Sequence, residues 1–239
     1  MFRKITPVKR LSLLMSSAVC FQMVLTLAGC RNNEASKANA ETTVTDTLNQ
    51  QFNLSPTKKN IIFFGNSLTA GYGLDLSEAF PSLIQSRIDS LKLPYKVINA
   101  GLSGETSAGG RTRIDWILRQ SVEIFVLELG GNDGLRGIPA TDTYKNLQAI
   151  IDKVRSVHPN ARILLTGIQI PPSMGDRYAS EFREIFPKLA KVNKTALVPF
   201  LLEGVGGIPG LNQADGIHPT ARGDVILANN VWKVLKDLL

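Results

Sequence analysis

Ile61-Ile62-Phe63-Phe64-Gly65-Asn66-Ser67-Leu68-Thr69-Ala70-Gly71 is the stretch from which the architecture can be read. Four consecutive apolar residues have the length of a strand buried on both faces, and Gly65 permits a sharp exit from it. Ser67 then presents a hydroxyl at the carboxyl end of a strand, where open α/β sheets keep their ligand crevices. Two readings of Ser67 stand open on these residues alone: a nucleophile, or a serine that caps the next helix.

Working outward, helical and extended patterns alternate. Apolar Phe80, Leu83, Ile84, Ile88 and Leu91 have helical spacing over residues 77–91, with Pro81 in the first turn. Residues 95–98 read as a strand, 105–120 as a helix, 124–129 (I-F-V-L-E-L) as a strand and 141–157 as an amphipathic helix. Residues 162–167 form the next strand, 178–192 a helix disturbed by Pro187, and 197–201 a weak strand. Residues 219–239 close the chain as a helix with Val225, Ala228, Trp232, Leu235 and Leu239 on one face. Such alternation implies right-handed crossovers and a parallel sheet covered on both sides. The expected fold is a three-layer α/β/α domain over residues 60–239, its five parallel strands in the flavodoxin-like order 2-1-3-4-5.

The segment before this domain has another character. Residues 1–10 carry Arg3, Lys4, Lys9 and Arg10, and residues 11–29 carry no charge, the pattern of a secretory signal. Leu27-Ala28-Gly29-Cys30 resembles the bacterial lipobox, which implies a lipidated Cys30, membrane attachment and a body in the cell envelope. An uncleaved anchor is the alternative, because about 18 residues just span a bilayer. Residues 30–59, with few large apolar side chains, read as a tether. Without residues 1–29 the chain has 23 basic and 20 acidic residues, a net +3 that argues against nucleic acid as a partner. Both cysteines, Cys20 and Cys30, precede the domain, which excludes a disulfide framework or a cysteine metal cluster within it.

Four loops carry the chemistry. Gly65-Asn66-Ser67 is the first. In the second, Gly101-Leu102-Ser103-Gly104-Glu105-Thr106, a glycine-rich turn enters a helix and exposes backbone N–H groups, or simply starts the helix with Ser103 or Thr106 as its cap. In the third, Gly130-Gly131-Asn132-Asp133, the Asn132 amide stands just outside the sheet, where it can face a developing oxyanion or form an ordinary turn. The fourth is Asp215-Gly216-Ile217-His218-Pro219, with Pro219 expected as the first residue of the last helix. Asp215 can reach back to Nδ1 of His218 and leave Nε2 free as a base, or the two form a local capping pair. His158, the other histidine, precedes Pro159 at a helix end and is explained by capping.

The set Gly65-Asn66-Ser67-Leu68, Gly104, Gly131-Asn132-Asp133 and Asp215-x-x-His218 resembles the SGNH or GDSL-type hydrolases, in the family's order across nearly the whole domain. The runs L-E-L-G-G-N-D-G-L-R-G and G-L-S-G-E-T-S are similar to the subgroup of thioesterase I, lysophospholipase and arylesterase enzymes. The resemblance implies Ser67 as nucleophile, His218 as base and acid, Asp215 as its orienter, and an oxyanion hole of the Ser67 N–H, the Gly104 N–H and the Asn132 side chain. It implies an acyl ester, thioester or lysophospholipid substrate and neither cofactor nor metal. A carbohydrate O-deacetylase and a non-catalytic surface binding protein are the alternatives. Asn66 departs from the family's usual Gly-Asp-Ser, which puts the rate and geometry of this loop in question. Loops 168–177 and 202–214, with Ile170-Pro171-Pro172 and Gly206-Gly207-Ile208-Pro209, suit either the walls of an acyl groove or ordinary rigid loops.

Overall fold

The computed structural model describes residues 58–239. The expected signal segment, Cys30 and most of the expected tether lie outside the described residues. The first strand, β1 (Lys59–Gly65), begins one residue before the expected domain start and holds Ile61, Ile62, Phe63 and Phe64 with no exposure. It is followed by β2 (Tyr95–Gly101), β3 (Ile124–Glu128), β4 (Arg162–Thr166) and β5 (Ala196–Val198). All neighbouring pairs are parallel, and the order is β2-β1-β3-β4-β5, as the alternation predicts.

The helices are α1 (Ser67–Ala70), α2 (Phe80–Ser90), α3 (Ser107–Ile117), α4 (Gly131–Leu135), α5 (Ala140–Val157), α6 (Asp176–Arg183), α7 (Ile185–Asn193) and α8 (Ala221–Leu235). Helix α2 packs with α8, whereas α3 packs with α5 and α5 with α7. This division follows from handedness. A right-handed crossover from β1 to β2 runs opposite to those from β2 through β5, so α2 takes one face of the sheet and α3, α5 and α7 take the other. The reversal leaves a crevice outside the carboxyl ends of β1 and β3.

Alternate side chains of β1 serve both layers. Phe63 meets Phe80 of α2 edge-on, with ring centroids 5.6 Å apart, and Phe64 lies 5.6 Å from Phe125. Helix α3 approaches closely because Gly110 has no side chain; a Cβ there would stand 3.1 Å from Phe64 Cε1. The N-terminus of α2 has no cap of its own, and buried Asp224 of α8 accepts the Phe80 N–H at 2.8 Å instead.

Three helical expectations are corrected. Residues 178–192 are not one helix: the break falls at Glu184, between α6 and α7, and Pro187 sits in the first turn of α7, where its missing N–H costs nothing. The last helix starts at Ala221 with Thr220 as N-cap, so Pro219 precedes it, paired as a bridge with Asn212. Its buried stripe is Asp224, Leu227, Ala228, Val231 and Leu235, and Val225 is exposed, because the true face runs at i, i+3, i+4 and i+7 from Asp224.

Candidate active site

Ser67 and Asn132 are delivered to the crevice by the turns after β1 and β3. After Gly65 the chain enters α1 at once, and Asn66 is its N-cap, with Oδ1 accepting the Leu68 N–H at 3.0 Å. The capping alternative for Ser67 is thereby taken by its neighbour. Ser67 stands as the first helical residue, 8% exposed. After β3, Gly130 adopts φ 115°, open to glycine and strained for other residues, and lets α4 begin immediately with Asn132 in its first turn.

His218 reaches Ser67 from across the crevice. Its Nε2 is 2.9 Å from Ser67 Oγ, and its Nδ1 is 2.6 Å from Asp215 Oδ2. The other carboxylate oxygen, Oδ1, accepts the N–H groups of Ile217 (2.9 Å) and His218 (3.0 Å). These bonds, the His218 side chain foremost, hold the Asp215 carboxyl down at about 2, so it is ionised at neutral pH. An ionised partner at Nδ1 selects the tautomer with hydrogen on Nδ1 and a lone pair on Nε2, facing the serine.

The remaining expected residues divide. Asn132 lines the same cavity as Ser67 and His218. One hydrogen of its Nδ2 goes to the Glu105 carbonyl at 3.0 Å, which ties α4 to the loop after β2. Glu105 is itself gripped by Arg113, which also donates to the Ala100 carbonyl and stacks 4.2 Å over Phe64. Gly104 is exposed, with φ 80°, and its carbonyl accepts from Arg136; it is not among the residues lining the cavity. The N–H groups of Ser67 and Gly104 donate to no group among the described residues. Thr106, not Ser103, caps α3. His158 is the C-cap residue of α5, as its sequence context suggests, and its ring binds the Leu118 carbonyl at the end of α3, apart from the site.

A cavity of about 490 Å³ opens from Ser67, within the range of small-molecule sites. Its walls include Ile168, Ile170 and Pro171 from the loop after β4 and Phe200, Leu202, Gly206 and Gly207 from the loop after β5. Both loops singled out from the sequence are therefore walls. No cluster of three or more His, Cys, Asp or Glu suited to a metal occurs among the described residues.

Residues 63–226 match the model of the GDSL-like Lipase/Acylhydrolase family. The chain belongs to that family. This GDSL-family protein is 44% identical over 182 residues to Esterase TesA of Pseudomonas aeruginosa, spanning 76% of this chain and 90% of that protein. It is 39% identical over 180 residues to Thioesterase 1/protease 1/lysophospholipase L1 of Escherichia coli strain K12, spanning 75% and 84%. Among solved structures, psychrotrophic esterase EstA from Pseudoalteromonas sp., inhibited by monoethylphosphonate, matches with a TM-score of 0.71 at 32% identity, covering 75% of this chain and 98% of that one.

Sequence reasoning missed several residues that build this GDSL site. Tyr72 lays its ring 4.5 Å from that of His218. Gln213 Nε2 bridges the Tyr72 carbonyl (2.7 Å) and the Pro219 carbonyl (2.9 Å), joining the histidine loop to the turn after α1. Buried Asp133 binds the Ser107 N–H and hydroxyl and so fixes α4 to α3. Glu128 lies wholly buried beneath the serine turn. Two of these had a sequence signal: Asp133 stands in the motif Gly131-Asn132-Asp133, without a role assigned to it, and Glu128 is a lone acid inside the apolar run I-F-V-L-E-L.

Proposed function

We propose that the protein is a serine hydrolase of small acyl esters, of the arylesterase, thioesterase or lysophospholipase type, working through an acyl-enzyme on Ser67. The observation that carries this reading is the continuous relay Ser67 Oγ, His218 Nε2, His218 Nδ1 and Asp215 Oδ2, with steps of 2.9 and 2.6 Å. As Oγ attacks the acyl carbonyl, Nε2 takes its proton, and Asp215 stabilises the resulting imidazolium. Negative charge gathers on the carbonyl oxygen. The Ser67 N–H, without a partner among the described residues, and the second hydrogen of Asn132 Nδ2 are donors at the cavity; the Gly104 N–H, likewise without a partner there but outside the cavity lining, would join them only if its loop turns toward the serine. His218 then protonates the leaving group, and on the return step it activates water to release the acid.

The apolar walls favour an acyl chain over the acetylated sugar that a deacetylase would bind, and an intact relay speaks against a vestigial site. The names of the relatives point the same way, to esterase and thioesterase chemistry. A phosphonate has the tetrahedral geometry of the ester intermediate, and EstA is inhibited by monoethylphosphonate. A fluorophosphonate probe is accordingly expected to label this protein, and Ser67→Ala to abolish both labelling and p-nitrophenyl ester hydrolysis. Labelling that survives in Ser67→Ala refutes the assignment.

For residues 1–57 the reading rests on sequence. Lipidation of Cys30 would hold the domain at a bacterial membrane, facing the periplasm or exterior, within reach of lysophospholipids. Cys30→Ser is expected to move the protein from the membrane to the soluble fraction, and unchanged fractionation would exclude the anchor.

A further inference from the structure

The turn before Ser67 is gripped by a buried carboxylate that the relay does not use. Glu128 ends β3 beside Gly65 in the sheet register and is wholly buried. Its passage under the turn depends on Gly65, where a Cβ would stand 2.5 Å from Glu128 Oε2. Oε2 accepts the Asn66 N–H at 3.0 Å and the Thr69 hydroxyl at 2.8 Å, and Oε1 accepts from Asn66 Nδ2 at 2.8 Å. At the other end of the same amide, Oδ1 accepts the Leu68 N–H at 3.0 Å and lies 3.4 Å from Ser67 Oγ. The polarity of Asn66 is fixed at both ends: it donates to a carboxylate and accepts from a backbone amide. The aspartate of the usual Gly-Asp-Ser motif supplies only acceptors. One of its oxygens still caps Leu68; the other meets Glu128 Oε1 with no hydrogen between them unless the pair binds a proton.

We propose that Asn66 and Glu128 form a matched amide–carboxylate pair that positions Ser67, and that the amide frees this turn from the shared proton two acids would require. The inference rests on Ser67 being the nucleophile. Burial already pushes the Glu128 carboxyl up to about 7, against the hydrogen bonds from Thr69 and Asn66 that favour its ionised form. A second carboxyl at 66 would raise the proton affinity of the pair further. Of the titratable groups around the turn, His218 meets it through Ser67 Oγ, Asp133 of α4 binds Ser107 and Thr143, and Glu105 is paired with Arg113. No Lys, Arg or His hydrogen-bonds Glu128 among the described residues. In the wild type the turn is best formed above the Glu128 titration; with Asp at 66 it is best formed below that of the acid pair.

The test compares wild type, Asn66→Asp, Glu128→Gln and the exchange Asn66→Asp/Glu128→Gln, by kcat, KM and rate of fluorophosphonate labelling from about pH 6 to about pH 10. Wild-type activity is expected to stay level through the alkaline range. Asn66→Asp should fall there about tenfold or more, in kcat more than in KM, as the shared proton leaves. Glu128→Gln sets one NH₂ against another and should lower kcat about tenfold at all pH values. The exchange variant restores one donor and one acceptor in reversed order with the wild-type charge, and should recover most of that loss with a level alkaline limb. An Asn66→Asp profile parallel to wild type, or an exchange variant no faster than Glu128→Gln, overturns the proposal. Ser67→Ala keeps the two readings apart: activity retained in that variant rejects the nucleophile, whereas activity lost there with a failed exchange rejects the pair alone.

Discussion

The serine and the histidine are held by opposite means. Ser67 sits at the end of a central strand, over a carboxylate buried without exposure, and its turn is bonded to β3, 62 residues away in sequence. His218 sits on a surface loop whose bonds are mostly its own: Asp215 binds it side chain to side chain and through two backbone N–H groups within three residues. Their carboxylates are opposites too. Burial raises Glu128 to about 7, while hydrogen bonds in a solvated loop lower Asp215 to about 2. The serine is positioned by the core and the histidine by a local turn, so damage on the core side should be felt in stability as well as turnover, and damage to the loop in turnover alone.

Asp215→Asn should have the largest effect of the variants that probe this contrast. An amide can present its oxygen or its NH₂ to Nδ1 and no longer selects the productive tautomer, so kcat is expected to fall about 10³–10⁴-fold with the melting temperature nearly unchanged. The sign of the small stability term follows from the lowered carboxyl: the contribution of Asp215 is present above about pH 4 and lost as pH falls toward 2. A melting temperature that drops several degrees at neutral pH would show that the loop is part of the folding core after all.

Gln213→Ala removes the two bonds that join the histidine loop to the Tyr72 turn, across the boundary between the two regions. A loss of about tenfold in kcat/KM is expected, from roughly 1 kcal/mol per bond partly made good by water. Steady-state kinetics beside thermal melts will separate this from unfolding.

The smallest effect tests the core side. Asp224, like Glu128, is raised to about 7, by burial above all, so the folded state keeps a proton that the unfolded chain releases near pH 4. Stability should therefore decline as pH rises from about 4 to about 7 and level off above. Asp224→Asn keeps the acceptor for the Phe80 N–H and should flatten part of that decline, with ester hydrolysis unaffected. Melting temperatures across this pH range, in both forms, decide it.

The division between core and loop also marks what could be read without coordinates. Gly65-Asn66-Ser67, Gly131-Asn132 and Asp215-x-x-His218 are each contiguous, so their chemistry is visible as a string. The parallel sheet and its order follow from apolar runs alternating with amphipathic ones, because the period of burial is written along each element. Helix ends were less legible. Pro187 drew the break toward itself, although a proline fits the first turn of α7, and Pro219 suggested a helix start that Thr220 supplies through a capping bond.

By itself, then, the sequence determined the layered α/β/α fold and the serine, histidine and aspartate with their local partners, since these depend on neighbours within a few positions. Only the tertiary structure decided that His218 Nε2 lies 2.9 Å from Ser67 Oγ, 151 residues away, and that loops after β4 and β5 wall one cavity. It also decided that the amide of Asn66 answers a buried Glu128. Those are encounters between distant segments. Their geometry comes from the register of β1 with β3 and the reversal of strand order beside it, which no single stretch of chain encodes.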